Sequence, residues 1–329
     1  MGQAGRMPAI HRERALVKLT RSLRLTGRRP DGYHLIESEM VTLDFGDELE
    51  IEPLDTRWAT SPSAAARDSA PSRAGLRRRY GERTTLEVVD EVAWVGEGDG
   101  FVVAVSGETG VAAVPGPPAT GPQVSVPTGA DNLVVRALEL AGRSARVRLV
   151  KRVPPGAGLG GGSADAAAVL RWAGVTSPGV AARLGADVPF CVAGGRALVS
   201  GIGEQIEVLE PDDVTYLCCT PSFGVPTALV YRAFDELDPP EGPGSGQEEA
   251  VNDLERAAIV VEPRLAVVRD LVASVTGARP VLAGSGSTWY VACDPADGTR
   301  LRSELAAAVV AEHGRATLTL GRTVGAFAL

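Results

Sequence analysis

The sequence predicts a mixed α/β fold, because runs with the two-residue apolar period of strands alternate with runs of helical spacing. Residues 15–25 and 146–154 alternate as strands do, whereas residues 131–142 and 163–174 have the spacing of helices that end at glycines. The chain has 329 residues, of which 44% are hydrophobic and 22% are charged. This length and composition suit a globular protein with one large domain or two ordinary ones.

The first predicted strand places two polar side chains on one face. In ALVKLTRSLRL, residues 15–25, the odd positions are mostly apolar, and Lys18 and Thr20 lie side by side on the other face. Residues 26–34, TGRRPDGYH, follow as a turn-rich loop.

The region after this loop changes character twice. Residues 35–52 are predicted to form two short strands that are separated at Gly46. Residues 56–83 are rich in Ala, Ser, Pro and Arg without periodicity, so we expect a flexible insertion there. Two strand-like runs and a second soft patch come next, at 84–95, 101–107 and 112–123.

Charge and composition exclude several classes of function. A net charge of −8 argues against a nucleic-acid partner. No apolar stretch approaches the ~18 residues that cross a bilayer, and the first residues lack the hydrophobic segment of a secretory signal. The four cysteines have no C-x-x-C spacing and the three histidines are scattered. We therefore expect reduced, buried thiols, no metal cluster, no membrane contact and a cytoplasmic location.

The segment PPGAGLGGGSADAA, residues 154–167, is the strongest functional signal. Five glycines lie between Pro154 and Ser163, after a predicted strand and before an alanine-rich helix with Ser163 as its predicted N-cap. At such a junction the free N–H groups and the positive end of the helix dipole point to one place, as in phosphate sites. The alternative is a slack connector, which the helix cap directly after the loop disfavours. The loop has neither the Walker A lysine nor the acidic residue of a dinucleotide fingerprint.

Two residue types are scarce enough to single out positions. Only two of the 33 cationic residues are lysines, Lys18 and Lys151, and the asparagines are Asn132 and Asn252. Where arginine carries nearly every positive charge, a lysine marks a position at which a compact ammonium is needed.

Asp187 lies in the apolar segment LGADVPFCVAGG, residues 184–195, where a carboxylate must be paired or hydrogen-bonded. Two interpretations stay open: an N-cap for the following helix, or a base for a substrate hydroxyl with Lys18 as its cationic partner. The loop LAGSGST, residues 282–288, is by itself most often a turn.

Three aromatic residues, taken on their own, are explained by packing. Tyr33 and His34 end the TGRRPDGYH loop, where their ordinary role is turn packing. Tyr231 has helical spacing with Phe234 and is by itself a core residue.

Together these segments resemble the GHMP kinase superfamily. The matching blocks occur in the family's order and cover nearly the whole chain except roughly residues 56–125. They are VKLT, TGRRPDGYH, LDFGDELE, DNLVVRAL, PPGAGLGGGSADAA, LGADVPF, SGIGE, Asn252-Asp253 and LAGSGST. TGRRPDGYH points to the branch of the superfamily whose substrate is a cytidyl diphosphate alcohol.

The resemblance implies a two-domain α+β kinase with ATP in the cleft between the domains. Residues 1–205 would form a ribosomal-protein-S5-like N-terminal domain, and residues 206–329 a ferredoxin-like C-terminal domain. The implied reaction transfers a phosphoryl group from ATP, with Mg²⁺, to the 2-hydroxyl of the methylerythritol part of the small-molecule substrate. It belongs to the non-mevalonate isoprenoid pathway.

The resemblance also implies roles for single residues. Asp187 matches the catalytic aspartate and Lys18 its partner. Thr20 lies where the acceptor binds, Tyr33 and His34 where the cytidine end is contacted, and Tyr231 where a ring stacks on cytosine. The implied ATP-binding residues are Pro154, Pro155, Gly156, Ala157, Gly158, Leu159, Gly160, Gly161, Gly162 and Ser163. These roles suit phosphoryl transfer, which needs positioned donors, a cation and an acceptor for the hydroxyl proton.

The chain departs from the family pattern at two positions. Thr20 replaces an asparagine and offers one hydroxyl in place of an amide. Asp165 adds a carboxylate near the phosphates, either as a Mg²⁺ ligand or as a solvent-facing group. Thr20 motivates a second reading, a GHMP kinase for another small alcohol. A third, a catalytically silent nucleotide-binding relative, is disfavoured by Lys18, Asp187 and the complete glycine loop.

Overall fold

The computed structural model describes residues 9–54, 84–92, 95–96, 126–237, 251–312 and 314–328. The strands among them are β1 (His11–Thr20), β2 (Arg24–Arg28), β3 (His34–Pro53), β4 (Thr85–Asp90), β5 (Val95–Gly96), β6 (Ala145–Lys151), β7 (Arg196–Gly201), β8 (Gln205–Val208), β9 (Thr215–Pro221), β10 (Val281–Leu282), β11 (Trp289–Cys293) and β12 (Arg315–Val324). The helices are α1 (Leu133–Ala141), α2 (Gly161–Trp172), α3 (Pro178–Ala181), α4 (Val188–Ala193), α5 (Thr227–Glu236), α6 (Glu255–Val261), α7 (Arg264–Thr276) and α8 (Pro295–Ala311). The predicted mixed α/β class is confirmed.

The described strands form one sheet whose centre is β3. The main path runs β10-β11-β9-β12-β3-β6-β4, and β1, β2 and β7 also pair with β3. The two halves of this sheet meet where Thr323 and Val324 of β12 pair with Leu43 and Thr42 of β3. The first half consists of β1–β4 and β6–β8, and the second half consists of β5 and β9–β12. Among the described residues, β8 pairs with β7 in the first half, and β9 pairs with β11 and β12 in the second. The division into domains at residue 205 stays a prediction.

The long strand β3 corrects one prediction. Residues 35–52 do not form two strands, because β3 continues for 20 residues through Gly46. A Cβ at Gly46 would lie 2.0 Å from the carbonyl oxygen of Ala15 on β1. The glycine therefore allows two strands to approach closely and does not end either of them.

The first strand also differs from its prediction. β1 ends at Thr20, and β2 begins at Arg24, so residues 15–25 are not one strand. Both faces of β1 are covered at its end: Val17 and Leu19 on one face are fully buried, and on the other Lys18 is 5% exposed and Thr20 is 1% exposed. The predicted polar face is present, and it faces the inside of the molecule.

Helix α2 is enclosed on every side. All residues from 164 to 170 are buried, and their small alanine side chains let α2 pack against α1, α4 and β1. A second core lies under α5 to α8 on the other half of the sheet. A third cluster, which includes Val17, Leu159 and Tyr290, joins β1, the glycine loop and the second half.

The ends of α1 follow the sequence signals. Asn132 caps its first turn by accepting a hydrogen bond from the Val134 N–H at 2.8 Å, and Gly142 ends it in the left-handed conformation, with φ at 64°. None of the helices described here has both the length and the apolar character of a membrane span. The predicted insertion 56–83, strand 101–107 and patch 112–123 lie outside the described residues.

Candidate active site

The elements meet around a cleft of about 1050 Å³. The end of β1, the glycine loop and the start of α4 line one part of it, and the β2–β3 turn and α5 line another. The loop at 284–285, for which the sequence predicts a turn, lines it as well.

The glycine loop is held by close backbone contacts. A Cβ on Gly158, whose φ is +78°, would lie 2.3 Å from the carbonyl oxygen of Ala283. A Cβ on Gly160, whose φ is +68°, would lie 2.8 Å from Cγ of Lys18. Only glycine meets both the conformation and the lack of space at these positions, so the loop is a packed element and not a slack connector.

The start of α2 corrects the predicted cap. Gly160 occupies the N-cap position, and Ser163 is the third residue of the helix. The first N–H groups of a helix have no partner within it, and Gly161, Gly162 and Ser163 line the cleft. The helix therefore presents donors and the positive end of its dipole to the cleft, as the sequence predicts for an anion site.

Lys18 and Asp187 lie together beside this loop. The Lys18 ammonium is 3.4 Å from Oδ2 of Asp187 and donates a hydrogen bond to Thr20 Oγ1 at 3.0 Å. The Lys18 side chain is 6% exposed and that of Asp187 is 32% exposed. The ammonium is thus buried with its partners, while the carboxylate keeps an open side.

Asp187 occupies the N-cap position of α4, but its side chain makes no capping hydrogen bond. Asp187 thus has the position of an N-cap, but its side chain faces Lys18 and caps no helix N–H group. The carboxylate is consequently free for the cleft.

The loop after β10 completes the surroundings of Lys18. A Cβ on Gly284 would lie 3.4 Å from the Lys18 ammonium nitrogen. Asn252 holds this loop by donating hydrogen bonds to the carbonyl oxygens of Leu282, at 2.8 Å, and Gly284, at 2.7 Å. The scarcity of asparagine marked Asn252, although the sequence assigned it no role.

The predicted aromatic residues line the part of the cleft that is formed by the β2–β3 turn and α5. His34, at the start of β3, lies 5.0 Å between ring centroids from Tyr231 of α5, and Tyr33 is 61% exposed at the rim. Burial and the charge of nearby Asp187 raise the pKa of Tyr231 to about 12. Asp235 and Arg28, to which the sequence assigns no role, line the same part of the cleft.

Comparison with known proteins agrees with this geometry. A family model described as the GHMP kinases N terminal domain matches residues 132–195, which include the glycine loop. A 4-diphosphocytidyl-2-C-methyl-D-erythritol kinase of Cereibacter sphaeroides is 32% identical over 84% of this chain and 87% of that protein. One of Paracoccus denitrificans is 34% identical over 86% of this chain and 87% of that protein. The chain belongs to the 4-diphosphocytidyl-2-C-methyl-D-erythritol kinase family.

Solved structures support membership in this kinase family. A crystal structure of 4-(cytidine 5'-diphospho)-2C-methyl-D-erythritol kinase aligns with a TM-score of 0.60 and 28% identity, over 96% of this chain and all (100%) of that one. The mevalonate kinase of Methanococcus jannaschii, at 10% identity and a TM-score of 0.52 over 98% of this chain and 100% of that one, shares the fold. The predicted superfamily, kinase activity and mixed α/β fold are thereby confirmed.

The second lysine of this kinase lies directly behind the glycine loop. The Lys151 ammonium contacts Oδ2 of Asp47 and donates to Oδ2 of Asp165 at 2.9 Å. Asp47 also accepts hydrogen bonds from the backbone N–H groups of Arg152 and Val153, at 2.6 and 2.9 Å. A Cβ on Gly161 would lie 3.4 Å from the Lys151 ammonium, so this triad supports the first turn of α2.

The triad shows that Asp165 is not the solvent-facing group that was one of its two predicted roles. Its side chain is 5% exposed, so it does not face solvent. Burial, outweighing the attraction of Lys151, raises the pKa of Asp165 to about 8, and the charge of Asp47 adds to the rise. Burial alone would lower the pKa of Lys151, but the two carboxylates outweigh it and raise that pKa.

The remaining predictions concern the ATP-binding positions, the cysteines and a metal cluster. Nine of the ten predicted ATP-binding positions line the cleft of this kinase, whereas the side chain of Leu159 is buried in the core and its carbonyl oxygen accepts from the Lys18 N–H at 3.1 Å. Cys191, Cys218 and Cys219 are free and buried, as predicted, whereas Cys293 is free but only partly buried. Among the described residues, no group of three His, Cys, Asp or Glu side chains could hold a metal ion.

Proposed function

We propose that this protein transfers the γ-phosphoryl group of ATP to the 2-hydroxyl of 4-diphosphocytidyl-2-C-methyl-D-erythritol. The observation that carries the proposal is the Lys18–Asp187 pair, 3.4 Å apart, beside the open first turn of α2. Relatives at 32% and 34% identity bear the name of this kinase.

The glycine loop would bind the phosphates of ATP. Residues 154–163 end in the N-terminus of α2, whose free N–H groups and dipole favour negative charge. These donors are fixed before the ligand arrives, because Gly158 and Gly160 are packed against neighbouring segments. Fixed donors stabilise charge that develops on a transferring phosphoryl group without reorganising.

Asp187 would accept the proton of the attacking hydroxyl. Its carboxylate has one side toward Lys18 and an open side toward the cleft. Lys18 orients this carboxylate and adds a positive charge near the reacting phosphoryl group, and Thr20 fixes the ammonium through their 3.0 Å hydrogen bond. These groups supply positioning, a base and charge neutralisation, which phosphoryl transfer chiefly requires.

The cytidine end of the substrate would lie in the part of the cleft that the aromatic residues line. Tyr231 offers a ring face for stacking on the base, and His34 and Tyr33 border the same space. The diphosphate and methylerythritol parts would then extend toward Thr20 and Asp187.

Mg²⁺ would be held mainly by the phosphates of ATP. Mg²⁺ in phosphoryl-transfer sites commonly takes one or two carboxylates with substrate phosphates and water. Asp187 and Asp165 are carboxylates and Ser163 is a hydroxyl that line the cleft beside the loop, and Asp165 already accepts a hydrogen bond from Lys151. When bound, the ion would supply neutralising charge between the phosphates.

We also propose the two-domain division and the cytoplasmic location that the family resemblance and the composition imply. Residues 1–205 and 206–329 would form the two domains, with the cleft between them.

Asp187→Asn tests the mechanism. We expect kcat to fall about 10³-fold, because the amide cannot accept the hydroxyl proton, while the unfolding midpoint stays close to that of the wild type. Turnover is measured as ADP formed from ATP, Mg²⁺ and the cytidyl substrate. Asp270→Asn on α7, whose side chain is 69% exposed, is the matched control and keeps full activity. Normal turnover by Asp187→Asn contradicts the assignment.

Thr20 favours a second candidate, a kinase for another small alcohol. A threonine hydroxyl reaches less far than an amide and has one donor. If the cytidyl compound is the substrate, it is phosphorylated best in a panel of alcohols, and Thr20→Asn keeps that order. If another alcohol is preferred by the wild type, the second candidate replaces the first. ATP binding without any product across the panel supports a silent relative.

A further inference from the structure

A carboxylate on α5 fixes the ring of His34. Asp235 Oδ1 is 2.7 Å from Nε2 of His34, and its other oxygen, Oδ2, is 3.3 Å from the Arg28 guanidinium. Arg28 and His34 are partners in the β2–β3 register. Asp235 therefore connects helix α5 to the end of the hairpin that borders the cleft.

This contact determines which ring nitrogen carries the proton. An ionised carboxylate only accepts hydrogen bonds, so the proton of a neutral His34 lies on Nε2. Nδ1 is then a bare acceptor. Within the part of the chain that the structure describes, the hydrogen bond at Nε2 is the only one that the ring makes.

Two rings hold the imidazole plane in place. Tyr231 lies against it at 5.0 Å and an angle of 33°, and Phe234 meets its edge at 6.2 Å and 89°. Tyr231 and Asp235 are four residues apart, so they project from the same face of α5. The His34 side chain is 12% exposed and borders the cleft, which leaves its free nitrogen as a fixed polar group there.

We propose that Asp235 is a positioning residue that makes the site select cytosine over uracil, because it keeps Nδ1 of His34 an acceptor. This inference rests on the proposed function. Cytosine carries an amino group at its 4-position, a donor that matches a bare nitrogen. Uracil carries a carbonyl oxygen there, and two acceptors facing each other leave both without a hydrogen bond. Asp235 does not itself touch the base.

Asp235→Asn removes this control, because an amide can present either its oxygen or its NH₂ group to Nε2. We expect the ratio of kcat/KM for the cytidyl substrate to that for its uridyl counterpart to fall about tenfold, the contribution of one hydrogen bond. The loss appears as a higher KM for the cytidyl substrate, while the KM for ATP stays unchanged. Asp235→Glu keeps a carboxylate and restores most of the ratio.

Glu236→Gln is the matched control. It removes an exposed carboxylate from the next position of the same helix and leaves the ratio at the wild-type value. A ratio that stays at the wild-type value in Asp235→Asn overturns the proposal, and so does an equal fall in both variants.

The proton position is measurable without substrate. The chain has three histidines, so a ¹⁵N–¹H correlation spectrum of the full-length protein resolves each ring, and the spectrum of His34→Gln assigns the His34 signals. In the neutral form of the ring, we expect Nε2 of His34 to be protonated and Nδ1 to be bare. Asp235→Asn shifts the ring toward a mixture of the two forms.

A wild-type ring protonated on Nδ1 overturns the proposal even if no Asp235 variant folds. The spectrum also separates the two hypotheses. A wild-type protein that ignores the cytidyl substrate but shows the expected ring overturns the proposed function and, with it, the selection of cytosine. An active protein with unchanged selectivity in Asp235→Asn overturns the role of Asp235 alone.

Discussion

The two lysines of this protein are buried to nearly the same degree but have different carboxylate partners and therefore different roles. Lys18 and Lys151 are both nearly buried, at 5% and 4% exposure. Lys18 faces a carboxylate with an open side, Asp187, whereas Lys151 lies between two buried carboxylates. The first arrangement suits chemistry at a cleft, and the second supports the loop behind it.

Asp165→Asn tests the buried triad through pH. The folded pKa of Asp165 is about 8, above the ordinary value of about 3.9 in an unfolded chain. The folded state therefore binds the proton more tightly, and stability from this group is lost as pH rises from about 4 to about 8. The asparagine cannot titrate, so the unfolding free energy of the wild type minus that of the variant falls across this window.

Urea unfolding between these pH values measures that difference, with a slope of up to about 1.4 kcal/mol per pH unit. Asp270→Asn, on an exposed side chain, gives no such slope. A difference that rises with pH would mean that Asp165 is a stabilised carboxylate.

The sequence could predict some of these residues and not others. Lys18 and Thr20 followed from a two-residue period, and scarcity marked Lys151 and Asn252. The role of Asp47 could not be predicted, because its partner Lys151 is 104 residues away. The alternation of residues within a strand does not show which distant residues it will contact. Asp235, 201 residues from His34, was missed for the same reason.

At the scale of elements, the glycine loop combines unusual conformations with close contacts. Gly158→Ala tests the contact. A Cβ there would lie 2.3 Å from a carbonyl oxygen of the neighbouring loop, so the backbone must move. We expect a loss of about 1–3 kcal/mol in unfolding free energy and a higher KM for ATP.

Gly142→Ala separates the two causes. Gly142 has a φ of +64° but nothing within 4 Å of the added Cβ. It therefore keeps the conformational cost, about 1 kcal/mol, without the displacement, and leaves the KM for ATP unchanged. Equal effects of the two variants on this KM would mean that contact with the loop at 283–286 does not shape the phosphate site.

Glycines also explain which elements were predicted well. Gly142 follows a run of helical spacing and ends α1, where only one interpretation exists. Gly46 lies inside a strand-like run, where a break and a close approach of strands give the same sequence pattern. The close approach is correct here because β1 lies next to β3. The residues around Gly46 do not show which strand lies beside them, so the sequence could not predict this. Serine is a commoner N-cap residue than glycine, so the sequence predicts Ser163 as the N-cap of α2. The structure has Gly160 at this position, in the left-handed conformation.

At the scale of the whole molecule, the cleft is lined from both halves of the sheet. Lys18 and α4 belong to the first half, and α5 and the loop at 284–285 to the second. A nucleotide that contacts both should stabilise the molecule by about 2.7 kcal/mol at a hundred times its Kd. A thermal melt with a non-hydrolysable ATP analogue measures this stabilisation.

AMP is the control for that melt, since it lacks the two terminal phosphates. We expect a much smaller rise in Tm with AMP, because the donors at the start of α2 favour charge on those groups. An equal rise with AMP would place the main binding energy away from the glycine loop.

The Lys18–Asp187 pair lies where segments from four distant stretches of chain converge, at residues 18, 158–160, 187 and 284. Contacts between such separated stretches form slowly, since long loops must close first. During refolding, helical circular dichroism should therefore recover before turnover does. The recovery of enzyme activity consequently reports when these four segments have come together. A preparation with native helix content can still be inactive.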